Sequence, residues 1–351
     1  MLQDGGVQRA EQTFEDVSSQ TRFTAAQGNT AGRTASGLKA AGDDGRKTMG
    51  RTAGVLVVQR IAAGLVEGNQ VSGALKLFPE KGELHDALLS MPADAIAAKI
   101  GEMILGIAGK EPLTALGVGF PGIIRDGVIE ESPNLQQIKG FRLQPALEQI
   151  LADSGLRAPV RVYNDADATA AGIAAARGVL HKVNRVWTLG NGVGFGRYPW
   201  TEGTWEGGHM VVTLDPKEQF CGCGGRGHLE GFLGYRAMRM RFLDLEPEEV
   251  FANAKAGDQR CVEFVTRCHR ALAAATASSI HMDGPGPFYL TGPNAKWIDV
   301  GVLDRLVHEM VKMSPLQGSR IEMIPQKDDL GIIGAAVNAE RATAQLNAAA
   351  S

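Results

Sequence analysis

Two thiols and two imidazoles crowd into twenty residues in the second half of the chain: His209, Cys221, Cys223 and His228, separated by eleven, one and four residues. This donor set suits tetrahedral Zn²⁺, a borderline-soft ion that takes sulfur and nitrogen ligands at about 2.0–2.3 Å. Gly222, Gly224, Gly225 and Gly227 let a short loop fold tightly enough to turn Cys221, Cys223 and His228 inward. His209 is the nearest candidate for the fourth ligand. A site closed by four protein ligands is structural, because it leaves no open position at which to activate water. The alternatives are a glycine-rich surface turn with two free thiols, or a Cys-x-Cys disulfide, whose geometry is strained.

Cys261 and Cys268 complete a set of four cysteines, too few for a disulfide scaffold, which favours a reducing compartment. With 351 residues, 44% hydrophobic and 21% charged, the chain can bury a sizeable core and is long enough for two domains. A net charge of -3 supplies no broad basic field to hold nucleic acid or an anionic membrane. No run of about 18 apolar residues and no apolar core of a secretion signal is visible, so a soluble, cytoplasmic protein is expected. Residues 1–50, rich in Gly, Ala, Ser, Thr and Gln, are expected to form a disordered tail. Met49 is a candidate start just ahead of the first strand.

Beyond Gly54 the pattern predicts a β-rich run through Val58 and from 61 to 66, then a hairpin partner over 71–78. Helices are predicted over 93–108, 143–154 and 166–178, with strands at 113–118 and 160–163. The second half reads as a strand at 185–189, a glycine loop, a strand at 210–214, the cysteine loop and helices over 229–280. A strand at 288–291 and helices at 299–313 and 331–345 close it. Such alternation predicts an α/β class with mostly parallel sheets.

Glu206-Gly207-Gly208-His209 and the run from Cys221 to Glu230 resemble the E-x-G-H and C-x-C-G-x-x-G-C-x-E signatures of the ROK family of bacterial sugar kinases and sugar-responsive repressors. The resemblance extends from about Gly54 to Ala342. It implies that His209 binds zinc and touches a sugar, and that Glu206 and Glu230 accept hydrogen bonds from sugar hydroxyls. The family's third cysteine is His228 here, which keeps a zinc-ligand type and removes one negative charge. Ser132-Pro133-Asn134-Leu135 resembles the family's S-P-N-L, implying a sugar contact from Asn134. Val162-Tyr163-Asn164-Asp165-Ala166 resembles its strand-end N-D-A, implying that Asn164 faces the sugar and that Asp165 is the base for the acceptor hydroxyl. The same Asn-Asp pair also reads as an N-cap that turns a strand into a helix.

The loop from Leu189 to Gly196 resembles the family's second phosphate loop, with Asn191 in place of threonine; Gly190, Asn191, Gly192 and Gly194 would contact phosphates. A simple hairpin turn explains it too. Gly292, in Leu290-Thr291-Gly292-Pro293, falls where the family packs adenosine, and the run from Gly331 to Ala336 falls at its hinge, where tight helix packing serves as well. The first strand departs from the pattern. Val55, Val57, Val58 and Gln59 stand over D, G, G and T of the family's D-x-G-G-T-K. Branched valines disfavour the phosphate-wrapping turn, and no carboxylate remains there to support Mg²⁺. Arg60 follows, where the family often has lysine.

The resemblance implies a two-lobed actin-like or hexokinase-type ATPase fold with an interdomain cleft, and a homodimer. The expected lobes are a small one over 54–164 plus 331–345 and a large one over 165–330 that holds the zinc loop. Two functions stay open: an ATP- and Mg²⁺-dependent, glucokinase-like kinase acting on a hexose or N-acetylhexosamine, or a catalytically impaired, sugar-binding regulatory protein. A DNA-binding repressor would need a winged helix-turn-helix ahead of the first strand, for which residues 1–50 carry no pattern.

Overall fold

The first β-rich run folds as an antiparallel meander: β1 (Thr52–Val57), β2 (Ile61–Glu67) and β3 (Gln70–Phe78). Gly68 and Asn69, both at positive φ, make the β2–β3 turn, as two-residue hairpin turns require. The computed structural model describes residues 51–80, 87–109, 111–133, 135–203 and 206–350; the expected tail, the candidate start at Met49, and Asn134 lie outside the described residues. Then come α1 (Ala93–Ala108), β4 (Ala115–Phe120), a small hairpin of β5 (Ile123–Arg125) and β6 (Val128–Glu131), α2 (Leu143–Asp153) and β7 (Val160–Asn164). The five-stranded sheet has the order β3-β2-β1-β4-β7, with β4 parallel to both β1 and β7. Every residue of β1 is buried, as expected of a strand covered on both faces. Val55 and Val57 join the core under α1 and α2, and Leu56, pointing the other way, packs with Ile332 and Ile333.

The second half begins with α3 (Asp165–Ala176) and the antiparallel pair β8 (Asn184–Leu189) and β9 (Val193–Tyr198). Four helices follow: α4 (Glu230–Leu233), α5 (Tyr235–Arg241), α6 (Pro247–Ala256) and α7 (Gln259–Asp283). The last elements are β10 (Pro287–Thr291), α8 (Val300–Met310), β11 (Arg320–Met323) and α9 (Asp328–Ala350). This sheet has the order β11-β10-β8-β9. Trp187, Leu189, Phe195, Phe232, Phe264 and Phe288 anchor its core.

Two expectations need correction. No strand forms over 210–214: a single bridge joins Val211 to His228, and Val211 and Leu214 are exposed. The helices expected over 229–280 form as four, broken at Gly234, after Phe242 and at Gly257, which ends α6 in the left-handed conformation. Part of the predicted glycine loop is strand, since Gly194 and Gly196 belong to β9.

The two sheets are joined by α3 and α9, which pack on each other; α9 lies on β1 and β4, and α3 on β8 and β9. Glycine makes that crossing close. A Cβ on Gly334 would sit 1.7 Å from the Ala168 carbonyl oxygen, and one on Gly172 equally near that of Leu330. The Gly331 to Ala336 run is therefore a helix-packing surface. The crossing brings the N-termini of α3 and α9, and so Asp165 and Asp328, to one cleft.

Candidate functional site

A cleft of about 770 Å³ is lined by Val58, Gln59, Arg60 and Gly122 from the first half and by residues 188–194, Glu206, His209, Cys223, His228 and Glu230 from the second. Asn164 and Asp165 also face it. Asn164 is the N-cap of α3: its Oδ1 accepts from Ala166 N at 2.8 Å, and its Nδ2 donates to the Gly122 carbonyl at 2.9 Å. Capping and a place in the cleft thus coexist in one residue.

Asp165 opens α3. Burial pushes its carboxyl up to about 6 against the pull of backbone hydrogen bonds, and the nearby Glu206 adds to the rise. Asp167, which sequence reasoning passed over, is more deeply packed; its Oδ1 accepts from Arg197 N at 2.9 Å, and burial pushes it up to about 7. Only its position two residues after the Asn-Asp pair hinted at it. Burial also raises Glu206, partly offset by His209, whose Nε2 lies 3.8 Å from Glu206 Oε2. Glu230 starts α4 and bridges two parts of the site: Oε2 accepts from Val193 N at 3.0 Å, and Oε1 lies 3.4 Å from Cys221 Sγ.

The β8–β9 connection is a tight hairpin, closed by Gly190 N donating to Gly192 O at 3.0 Å. Its turn borders the cleft. Asn294 Nδ2 donates to Gly190 O at 2.8 Å and so ties the turn to the segment after β10, where Gly292 takes a φ of 100°. Gly190, Asn191, Gly192, Gly194 and Gly292 all line the cleft. Gly196 does not serve it: a Cβ there would lie 1.9 Å from the Ala166 carbonyl oxygen, so this glycine lets β9 approach α3.

The four metal-ligand candidates converge, their donor atoms all within 4.8 Å of one another. His209 Nδ1 lies 3.3 Å from His228 Nδ1 and 3.4 Å from Cys221 Sγ, and Cys223 Sγ lies 3.3 Å from His228 Nδ1. Bonds of about 2.0 Å to nitrogen and 2.3 Å to sulfur around a tetrahedron separate ligand atoms by roughly 3.3–3.8 Å. The cluster fits such an ion. The cysteine sulfurs, 3.3 Å apart, are too distant for a disulfide. Gly225 N also donates to Cys223 Sγ at 3.3 Å.

The base of this loop is clamped independently of metal. Glu218 is buried, and its carboxylate accepts from Arg241 Nη1 at 3.1 Å and from Arg267 Nη2. Burial alone would raise this carboxyl, and the two guanidinium groups more than offset it, holding it below the usual range. The Glu218 carbonyl accepts from Gly227 N at 2.7 Å, and Phe220 lies 4.0 Å from the Arg241 guanidinium.

On the first-sheet side, Val55 and Val57 are fully buried, and Val58, 44% exposed, faces the cleft. The turn over 58–60 closes on itself through Val58 N and Arg60 O at 3.1 Å. β1 offers no carboxylate, yet the cleft has one nearby: Arg60 Nε donates to Asp328 Oδ2 at 2.9 Å, and Arg60 Nη2 donates to the same oxygen. Sequence patterns give no sign of this pair, whose members lie 268 positions apart.

Residues 82–341 match the ROK family. A glucokinase from Pyrobaculum calidifontis is 31% identical over 259 residues, which cover 68% of this chain and 81% of that protein. A ROK family glucokinase from Streptomyces griseus, solved with glucose and AMPPNP, superposes with a TM-score of 0.59 at 22% identity, covering 83% of this chain and all of that one. A ROK family transcriptional regulator, homologous to the E. coli MLC protein, superposes with a TM-score of 0.64 at 19% identity over 84% of this chain and 78% of that one. The fold is thus the two-lobed, actin-like ATPase fold with its cleft. The family match begins only after β3, beyond the altered first-strand segment. By its matched length and its glucokinase relative, the chain belongs to the ROK family.

Proposed function

We propose that this chain is an ATP-dependent, glucokinase-like sugar kinase that transfers a phosphoryl group to a hydroxyl of a hexose or N-acetylhexosamine. One observation carries the reading: Asp165, a carboxylate pushed up to about 6 by burial, lines the same cleft as Glu206, His209 and Glu230. In its ionised form Asp165 takes the hydroxyl proton as the sugar oxygen attacks the terminal phosphate. Glu206, His209, Glu230, Asn164 and Asn134 hold the remaining hydroxyls and fix the acceptor's orientation. The turn at Gly190, Asn191 and Gly192, with Gly194 and Gly292, receives the phosphates and nucleotide of ATP-Mg²⁺ on the other wall.

Zinc held by His209, Cys221, Cys223 and His228 would cross-link the loop that presents His209 and Glu230, with no open position for catalysis. We assign 54–164 plus 331–345 to the small lobe and 165–330 to the large one, and expect a cytoplasmic homodimer. A coupled ADP-release assay across hexoses and N-acetylhexosamines tests the reading: turnover with at least one sugar is expected, and none at high protein concentration with ATP-Mg²⁺ would sink it. The second reading, a sugar-binding regulatory protein without turnover, is favoured by one feature: Val55 and Val57 are sealed in the core where the first phosphate motif would stand.

A further inference from the structure

The first amide of the β1–β2 turn is spent within it, Val58 N donating to Arg60 O. What the turn does present to the cleft is a cation. Arg60 is half-buried, lines the cleft beside Val58 and Gln59, and is held by both its Nε and Nη2 on a single oxygen of Asp328. Asp328 is itself half-buried, and the exposed Lys327 beside it also lines the cleft. The same cavity is walled by the Gly190 to Gly192 turn and by Gly292.

We propose that Arg60 is the phosphate-binding residue of the first-sheet wall, and that Asp328 is its stand-in anion, displaced when the phosphoryl donor enters. This inference rests on the kinase reading. A guanidinium that chelates one carboxylate oxygen is aimed by that contact and keeps further N–H donors for an incoming anion. A terminal phosphate carries more charge and more acceptor oxygens than a carboxylate, so it competes well for a planar guanidinium. Arg60 would thereby supply from a side chain the positive potential that the valine-bearing turn cannot supply from its amides. Asp328 supplies the counter-charge to the half-buried cation.

The test is binding of inorganic tripolyphosphate, followed by calorimetry on the full chain, in wild type, Asp328→Asn, Arg60→Gln and the double variant. Removing the competing carboxylate is expected to tighten binding about tenfold, and removing Arg60 to weaken it about tenfold. The double variant should match Arg60→Gln, because the gain acts through Arg60. An unchanged or weaker affinity in Asp328→Asn overturns the proposal, as does an equal gain with and without Arg60. Weakening that appears only with Mg²⁺ would make Asp328 a cation ligand and also overturn it. The kinase reading fails separately: a binding series as expected with no ADP release from any sugar leaves the phosphate site standing, whereas ADP release with unaltered affinities removes only this inference.

Discussion

Asp165 and Asp167 share one helical turn and one source of perturbation, the poor solvation of an ionised carboxylate in packed surroundings. Their uses diverge by what they face. Asp165 lines the cleft, where a ligand would meet it. Replacing Asp165 with Asn is expected to lower kcat by about 10²–10⁴ while sugar binding persists. In wild type, kcat/KM should rise with pH through about 6 as Asp165 ionises, measured as initial rates between pH 5 and 8. A flat profile would remove Asp165 from the role of base. Asp167 instead accepts a backbone N–H of β9. Its folded value, about 7, lies above its ordinary one, 3.8, so the native state binds more protons between them. Stability from this group is full below the lower value and is lost as pH rises through the upper one. Asp167→Asn keeps the acceptor oxygen and cannot ionise. It should raise the melting temperature more at pH 8 than at pH 5; equal gains at both would contradict this origin.

At the scale of elements, the loop from Glu218 to Glu230 is clamped through Glu218 by Arg241 and Arg267, and it gathers four side chains that could hold a metal ion. Glu218→Gln leaves two guanidinium groups against a neutral amide, one of them largely buried. The expected cost is about 3 kcal/mol in urea denaturation, since breaking a buried pair strands a charge. Removing metal with a chelator should lower the melting temperature and speed proteolysis within the loop, because an ion bound only by the native state stabilises it. If chelation changes neither, the cluster holds no ion. Gly196→Ala would press a methyl on the Ala166 carbonyl and should cost about 3 kcal/mol in the same denaturation.

The convergence of these side chains was legible in sequence because they sit close together: four candidate donors in twenty residues, and Asn164 next to Asp165. The regular elements of the first half were legible for a similar reason, their apolar period being local. The run at 210–214 misled because Val211, Val212 and Leu214 look like a strand, yet among the described residues it pairs only through the Val211–His228 bridge and flanking bonds to Gly227 and Leu229. The Arg60–Asp328 pair and the arginines on Glu218 were invisible because their partners come from distant elements. Gly196 ends the glycine loop in sequence, yet the approach of α3 is what requires it.

For the whole molecule, the glycine-lined crossing of α3 and α9 makes two sheets into one cleft and brings the base candidate to it. One wall of that cleft carries Glu206, His209 and Glu230, which the ROK resemblance implies for a sugar, whereas the β1–β2 wall carries Val58, Gln59 and Arg60. This asymmetry is the central point: a sugar should bind whether or not phosphate is present, and turnover should depend on Asp165. Calorimetric titration of a panel of hexoses and N-acetylhexosamines, with and without ATP-Mg²⁺, addresses both parts in wild type and Asp165→Asn. The expected result is saturable heat from at least one sugar in both proteins without nucleotide, and a continuing heat of reaction on adding ATP-Mg²⁺ in wild type alone. Binding of ATP-Mg²⁺ with no heat from any sugar would contradict it.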